Sequence, residues 1–276
     1  MLTKKFPILE KEKLAPGITY FQIKAPLVAR KCQPGQFIIL RLDEKGERIP
    51  LTMTEYDREK GTISIVVQDV GRTTHQLSLM NIGDVVEDVL GPLGVPTPIE
   101  KVGTVLCVGG GVGVALLYPE AKAYKEKGNR VISLIGARSK DYLFFQDKIE
   151  AISDEVKYST DDGTFGHHGF VTDLVKEILE GGETINEVIA IGPLPMMKRV
   201  AEITRPYKIK TIVSLNPIML DGTGMCGGCR VRVGGVVKFA CVEGPDFDAH
   251  EVDFDDLMKR QKRFQEEEKI ALEKKN

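Results

Sequence analysis

The chain has 276 residues, 42% hydrophobic and 28% charged, enough for two domains or for two with a small appendage, and ordinary for a water-facing globular protein. A formal net charge of −2 offers no basic field to nucleic acid, no apolar run reaches membrane-spanning length, and the opening Met-Leu-Thr-Lys-Lys-Phe-Pro lacks the apolar core of a signal peptide. Five cysteines, three of them close together and without an export signal, point to a metal site in a reducing cytoplasm rather than to disulfides.

The first hundred residues read as strands. Residues 17–23, 36–42 and 62–67 are short, β-rich and bounded by Gly or Pro, with turns expected at Pro16-Gly17, Pro34-Gly35 and Gly91-Pro92. A small antiparallel barrel fits this spacing better than a sandwich. From Gly103 the rhythm changes to strands at 104–108, 131–135, 156–159, 187–191 and 210–215. Helical stretches at 115–127, 171–179 and 195–204 lie between them. Strands alternating with helices predict a doubly wound parallel sheet. A cysteine segment follows, and then a charged tail with Leu257, Phe264 and Leu272 at helical spacing, equally a solvated helix or a partner-binding one. The expected fold is thus α+β and multidomain. It has an antiparallel β-barrel over 1–99, a doubly wound α/β nucleotide domain over 100–219, a small C-terminal metal segment over 220–253 and a charged helical tail over 254–276.

Three loops end strands of the second domain. Gly109, Gly110, Gly111 and Gly113 follow one strand and open a helix, the context in which backbone approaches a pyrophosphate. A glycine run alone is also explained by a tight turn. Asp161, Asp162 and Gly163, and then Gly192, Pro193 and Met196, follow two further strands, at the ends where open α/β sheets bind ligands. In the β-rich part, Arg48-Ile-Pro-Leu-Thr52 and Gly71-Arg-Thr-Thr74 set a cation and hydroxyls where a phosphate can be gripped, though in isolation they read as a solvated loop and a turn. His167 and His168 fall in a loop, Cys107 in an apolar strand, and Cys32 before a turn without an evident partner. Neither His75 nor His250 belongs to a catalytic arrangement.

The densest signal is Asp221-Gly-Thr-Gly-Met-Cys226-Gly-Gly-Cys229, with Cys241 eleven residues beyond. Thiolates two residues apart on a glycine-rich loop can converge on a soft metal, and the spacing resembles the plant-type iron–sulfur pattern with Asp221 at the first position. A structural zinc site of three Cys and one Asp uses the same donors, and Asp221 alone reads as a turn acceptor.

A β-barrel followed by Gly-Gly-Gly-Val-Gly-Val and Gly-Pro-x-Pro-Met resembles the ferredoxin–NADP reductase superfamily. That resemblance implies flavin contacts at Arg48, Pro50, Leu51, Thr52, Gly71, Thr73 and Thr74. The superfamily's Arg-x-Tyr-Ser/Thr is altered here: aligning on Pro50 and Thr52 puts Ile49 at the arginine position and displaces Arg48 by one. Ile191 stands where Cys usually precedes Gly-Pro. The added cluster segment resembles electron-transfer subunits of dihydroorotate dehydrogenase, which use four cysteines. With Asp221, and with the following 242–255, it more closely resembles small subunits of NADH-dependent reduced ferredoxin:NADP oxidoreductases, also called sulfide dehydrogenases. This implies FAD, NAD(H) and a [2Fe-2S] cluster on Asp221, Cys226, Cys229 and Cys241. It also implies a larger partner carrying FAD, [4Fe-4S] clusters and the NADP(H) site, with ferredoxin served through the complex and electron bifurcation as the activity. The rival readings are a dihydroorotate dehydrogenase electron-transfer subunit and a zinc-stabilised NAD-binding module without catalysis.

Overall fold

The computed structural model describes residues 6–273. Seven strands, β1 (Phe6–Ala15), β2 (Ile18–Lys24), β3 (Phe37–Arg41), β4 (Ile49–Asp57), β5 (Thr62–Gln68), β6 (Val85–Val86) and β7 (Asp88–Leu93), form one antiparallel sheet in the order β6-β1-β2-β5-β4-β3-β7. Its two edge strands are separated in sequence by Glu87 alone, so the sheet curls back until its edges meet and the barrel is nearly closed. Phe21, Ile23, Ile38, Leu40, Ile63 and Ile65 fill the interior. Two short helices, α1 (Pro26–Ala29) and α2 (Arg72–Leu79), cover it.

The predicted turns at Pro16-Gly17 and Pro34-Gly35 are present, with φ of 69° and 81° at the two glycines. The turn expected at Gly91-Pro92 is not. These residues lie inside β7, at an irregularity in its pairing with β3, where a Cβ on Gly91 would stand 2.8 Å from Ile38 Cγ2. Glycine is needed there for strand approach rather than for chain reversal.

The second sheet is built from β8 (Thr104–Gly110), β9 (Arg130–Ala137), β10 (Glu155–Thr160), β12 (Glu187–Ile191) and β13 (Lys210–Ser214), all parallel. The pair β11 (His167–His168) is added at one edge. The order β11-β10-β9-β8-β12-β13 steps outward from β8 in both directions, which makes the β8/β12 junction the switch point where such sheets bind ligands. Helix α3 (Val114–Glu126) covers one face, and α5 (Val171–Glu180) and α6 (Leu194–Thr204) cover the other, with α4 (Gln146–Ile152) at the side of α3. At the opposite end of the sheet Glu187, 2% exposed, accepts hydrogen bonds from Tyr124 (2.5 Å) and Lys210 (2.9 Å), so its buried charge is paired and satisfied.

Beyond β13 the chain forms the hairpin β14 (Arg230–Val233) and β15 (Val236–Phe239), the short helix α7 (Ala240–Glu243) and β16 (Asp246–Asp248), which joins the large sheet antiparallel to β13. Helices α8 (Phe254–Gln261) and α9 (Gln265–Glu273) complete the described chain. Leu257 is buried in the same core as Val231 and Cys241, whereas Phe264 is exposed at the break between the two helices, so the tail is not one continuous amphipathic helix. The Leu272 side chain and residues 274–276 lie outside what the structure describes. Among the described residues no helix is long and apolar enough to cross a membrane.

Candidate functional site

The C-terminal ends of the parallel strands open onto a cleft of about 800 Å³, within the range that holds a cofactor. Gly110, Gly111, Gly113, Asp161, Gly192, Pro193 and Met196 all line it. Each glycine has its own reason. At Gly111, φ is +55° and a Cβ would meet nothing within 4 Å, so bare backbone faces the cleft. At Gly113 a Cβ would stand 2.3 Å from the Ile191 carbonyl oxygen, so glycine is what lets α3 start hard against β12. Gly109 does not reach the cleft. It is enclosed by Val114, Leu117 and Ile135 and serves packing.

Asp162 and Gly163 also turn away from the cleft. The Asp162 carboxylate accepts from Thr164 N–H (3.0 Å) and Oγ1 (2.6 Å), which holds it below the usual carboxylate range, and Gly163 packs on the His168 ring. The two histidines occupy β11 rather than a loop. Cys107 is core, as expected, and burial pushes its thiol far up. Cys32 does have partners: it is buried, its thiol lies 3.1 Å from the Val28 carbonyl and 3.0 Å from Met53 Sδ, and burial pushes it up to about 12. The remaining histidines are structural contacts, His75 Nδ1 at 2.7 Å from Asp69 and His250 Nε2 at 3.0 Å from Thr204.

Sequence reasoning missed Tyr142, Thr172, Arg199 and Asn216, which also border the cleft. For Tyr142, Thr172 and Asn216 the available signal was position, after strand ends or at the start of the following helix, whereas Arg199 lies in the second turn of α6. Arg138 also lines the cleft, with its guanidinium 4.5 Å from the Tyr142 ring centroid.

The residues expected at flavin lie on β4 or immediately before it, and at the start of α2. The Thr73 hydroxyl donates to Glu47 (2.8 Å), tying the helix start to the segment that carries Arg48, and Arg48 itself is exposed. Thr74 Oγ1 accepts from Val70 N–H (3.1 Å) and Gly71 N–H (2.9 Å), so its hydroxyl caps the helix. Pro50, Leu51 and Thr52 are half-buried in the pairing of β4 with β3. None of these seven residues borders the large cleft, which touches the barrel at Ile18 and Gln68.

The cysteine segment shows how eleven intervening residues bring two thiols together. Gly234-Gly235, both at positive φ, turn the chain between β14 and β15, and the returning strand sets Ala240 N–H on the Cys229 carbonyl (3.2 Å). The Cys229 and Cys241 sulfurs are buried 3.2 Å apart. Burial, and then the neighbouring Cys229 thiol, push the Cys241 thiol up, and a cation beside it would favour the thiolate. Asp221 Oδ1 accepts from Thr223 N–H (2.9 Å) and Oδ2 from Cys226 N–H (2.8 Å), bonds that hold the carboxyl below its ordinary range and use only part of its acceptor capacity. Positive φ at Gly222, Gly224 and Gly227 wraps this loop. Cys226 is exposed at its rim. Among the described residues no three His, Cys, Asp or Glu side chains converge on one ion. The donors stand as two pairs, Cys229 with Cys241 and Asp221 with Cys226. That fits a two-iron cluster sharing its ligands two and two better than four donors around a single zinc.

Comparison with known proteins agrees with this geometry. Residues 216–253 match the iron–sulfur cluster binding domain of dihydroorotate dehydrogenase B. A dihydroorotate dehydrogenase B (NAD(+)) electron transfer subunit homolog from Thermotoga maritima is 50% identical over 97% of this chain and 94% of that protein. The corresponding electron transfer subunit from Geobacillus thermodenitrificans is 33% identical over 90% and 98%. A solved structure of an NADH-dependent reduced ferredoxin-NADP oxidoreductase, described for its insights into flavin-based electron bifurcation, contains a chain 49% identical, with a TM-score of 0.92 over 97% of this chain and 96% of that one. More distant ferredoxin reductases share the fold alone. The chain belongs to the family of dihydroorotate dehydrogenase B electron transfer subunits and their homologues, oxidoreductase flavoproteins with an iron–sulfur domain on a ferredoxin-reductase-like fold.

Proposed function

We propose that the chain moves electrons between NAD(H), FAD and a [2Fe-2S] cluster as the smaller subunit of an electron-bifurcating NADH-dependent ferredoxin:NADP oxidoreductase. The observation that carries this reading is the 49% identity and 0.92 TM-score to the oxidoreductase chain over nearly the full length of both. Bound FAD would supply the exchange between the electron pairs of nicotinamide and the single electrons of an iron–sulfur cluster. The chain's own residues hold and order the groups. Gly110, Gly111 and Gly113 offer backbone to the NAD(H) pyrophosphate, and Gly192, Pro193 and Met196 shape the nicotinamide end. Arg48, Pro50, Leu51, Thr52 and the α2 start carry the flavin, and Asp221, Cys226, Cys229 and Cys241 hold the cluster. In this reading residues 1–99, 100–219 and 220–253 carry flavin, nicotinamide and cluster in turn. The larger partner, binding NADP(H) and serving ferredoxin in the cytoplasm, completes the reaction.

A second reading has support in the matched domain and in the names of the relatives: electron transfer for a dihydroorotate-oxidising partner. Asp221 in place of a fourth cysteine favours the first. The test is an anaerobic visible spectrum of the purified chain, with iron, zinc and flavin counts, before and after NADH. Flavin with about two irons per chain, both bleached by NADH, supports electron transfer. Zinc without flavin overturns it. Adding dihydroorotate or ferredoxin to the complex isolated with its partner then separates the two readings.

A further inference from the structure

Helix α8 lies beyond the matched cluster domain, yet it reaches the cluster loop. Phe254 and Leu257 anchor it in the core, and Asp253 caps it by accepting from Asp256 N–H (3.0 Å). In its last turn Arg260 donates from Nη2 to the Gly228 carbonyl (3.3 Å), the residue before Cys229. Its guanidinium is partly buried and feels Arg230 and Arg263 as neighbouring cations, with Asp256 and Cys229 as the groups of opposite tendency. Among the described residues none of these three arginines makes an ion pair. Arg230 and Arg263 are exposed and screened by water, whereas the part-buried Arg260 is screened less and gains from an anion beside it. A guanidinium cannot escape by losing its proton. Three thiolates and a carboxylate around two ferric ions and two sulfides make such an anion, with a formal charge of about −2, and one unit more negative after accepting an electron.

We propose that Arg260 is a positioning residue that sets the reduction potential of the cluster, its charge pinned beside Cys229 by the Gly228 carbonyl so as to favour the state holding one more electron. This rests on the cluster reading of Asp221, Cys226, Cys229 and Cys241. The step is a one-electron transfer in which no bond forms or breaks, with dithionite as the electron source in the titration below. The charge acts through space and the hydrogen bond keeps it in place, so the two contributions are separable by substitution.

The experiment is an electron paramagnetic resonance redox titration of the cluster in the purified full-length protein, for the native chain, Arg260→Gln and Arg260→Lys, with iron counted in each. Gln can still donate to the Gly228 carbonyl but carries no charge, whereas Lys keeps both. The expected result is that Arg260→Gln shifts the midpoint negative, with the ratio of reduced to oxidised cluster at the native midpoint about tenfold lower (~59 mV for one electron), while Arg260→Lys stays near native. The negative shift should shrink as salt is raised, because the interaction is through-space. Equal midpoints in all three proteins at full iron content overturn the proposal, as do equal shifts in Gln and Lys, which would make Arg260 a packing residue only. If Arg260→Gln loses its iron, the lysine variant decides: native iron content and midpoint support a charge requirement, and loss of iron there too overturns it. Zinc in the native protein would overturn the cluster reading itself, an outcome distinct from native iron with unmoved potentials.

Discussion

Gly113 has no room for a side chain, because Ile191 presents rigid backbone where the Cβ would go. Gly113→Ala should force α3 away from β12 at a cost of about 1–3 kcal/mol and misplace the turn above it. A lower unfolding midpoint together with weaker NADH binding by titration is expected, whereas Gly182→Ala, strained by its φ of +81° but outside the cleft, should leave NADH binding unchanged. A second residue-scale effect lies at Asp246. Its Oδ1 is enclosed without a partner, and its Oδ2 accepts from Thr97 (2.5 Å). Burial pushes it from 3.8 up to about 6, and Glu120, buried nearby with an unpartnered Oε2, is pushed up as well. The folded state therefore binds a proton more tightly than the unfolded chain, so this stabilisation is full below about pH 4 and is lost as pH rises through 6. At neutral pH an ionised Asp246 costs up to roughly 3 kcal/mol, and Asp246→Asn should raise the unfolding midpoint at pH 7.5 but not at pH 4. An equal effect at both values would exclude ionisation as the cause.

Helix α8 is the element that clamps the cluster segment, since Leu257, 1% exposed, fills the core shared by Val231, Ala240 and Cys241. Leu257→Ala should cost about 2–5 kcal/mol and lower the iron retained after gel filtration, while Leu27→Ala, on an exposed barrel position, should do neither. At this scale the sequence was legible where periodicity is strong. The expected spans at 115–127, 171–179 and 195–204 differ by only one residue from the ends of α3, α5 and α6. Strand β1, Phe6–Ala15, was missed because Glu10, Lys11, Glu12 and Lys13 interrupt the apolar pattern on a strand with a wet face. No local signal marks β11 or β16, each two or three residues long and stabilised by docking onto an existing sheet edge. The hairpin that joins Cys229 to Cys241 did carry a signal, Gly234-Gly235 between two β-branched runs. The spacing of Asp221 before Cys226 pointed to a ligand. Its place as acceptor of two backbone N–H bonds follows from the same short loop and leaves lone pairs free for the proposed ligand role.

At the scale of the whole molecule, the proposed hydride transfer needs the barrel and the α/β domain in one fixed relation, and Lys148 is the contact most suited to hold it. From α4 its ammonium reaches Glu55 on β4 (2.6 Å) and sits 4.7 Å from the Phe145 ring centroid, with Tyr118 at 5.6 Å and Tyr20 of β2 at 5.8 Å. Two of these partners belong to the barrel and two to the nucleotide domain. Both charged groups are about one-third exposed, so the ion pair alone is worth at most ~1 kcal/mol, and the rings add a similar amount. That is small against the stability of either domain but large against the soft motion of one domain on the other. Lys148→Ala should therefore leave both domains folded and leave NADH affinity near native. It should slow the bleaching of flavin at saturating NADH by severalfold and expose the connection at 94–103 to proteolysis. A double-mutant cycle with Glu55→Gln should show coupling of about 1 kcal/mol that weakens with salt. Arg at 148 keeps the charge and the stacking, so Lys148→Arg should restore the rate, and a variant that bleaches at the native rate despite faster proteolysis would separate this junction from the chemistry.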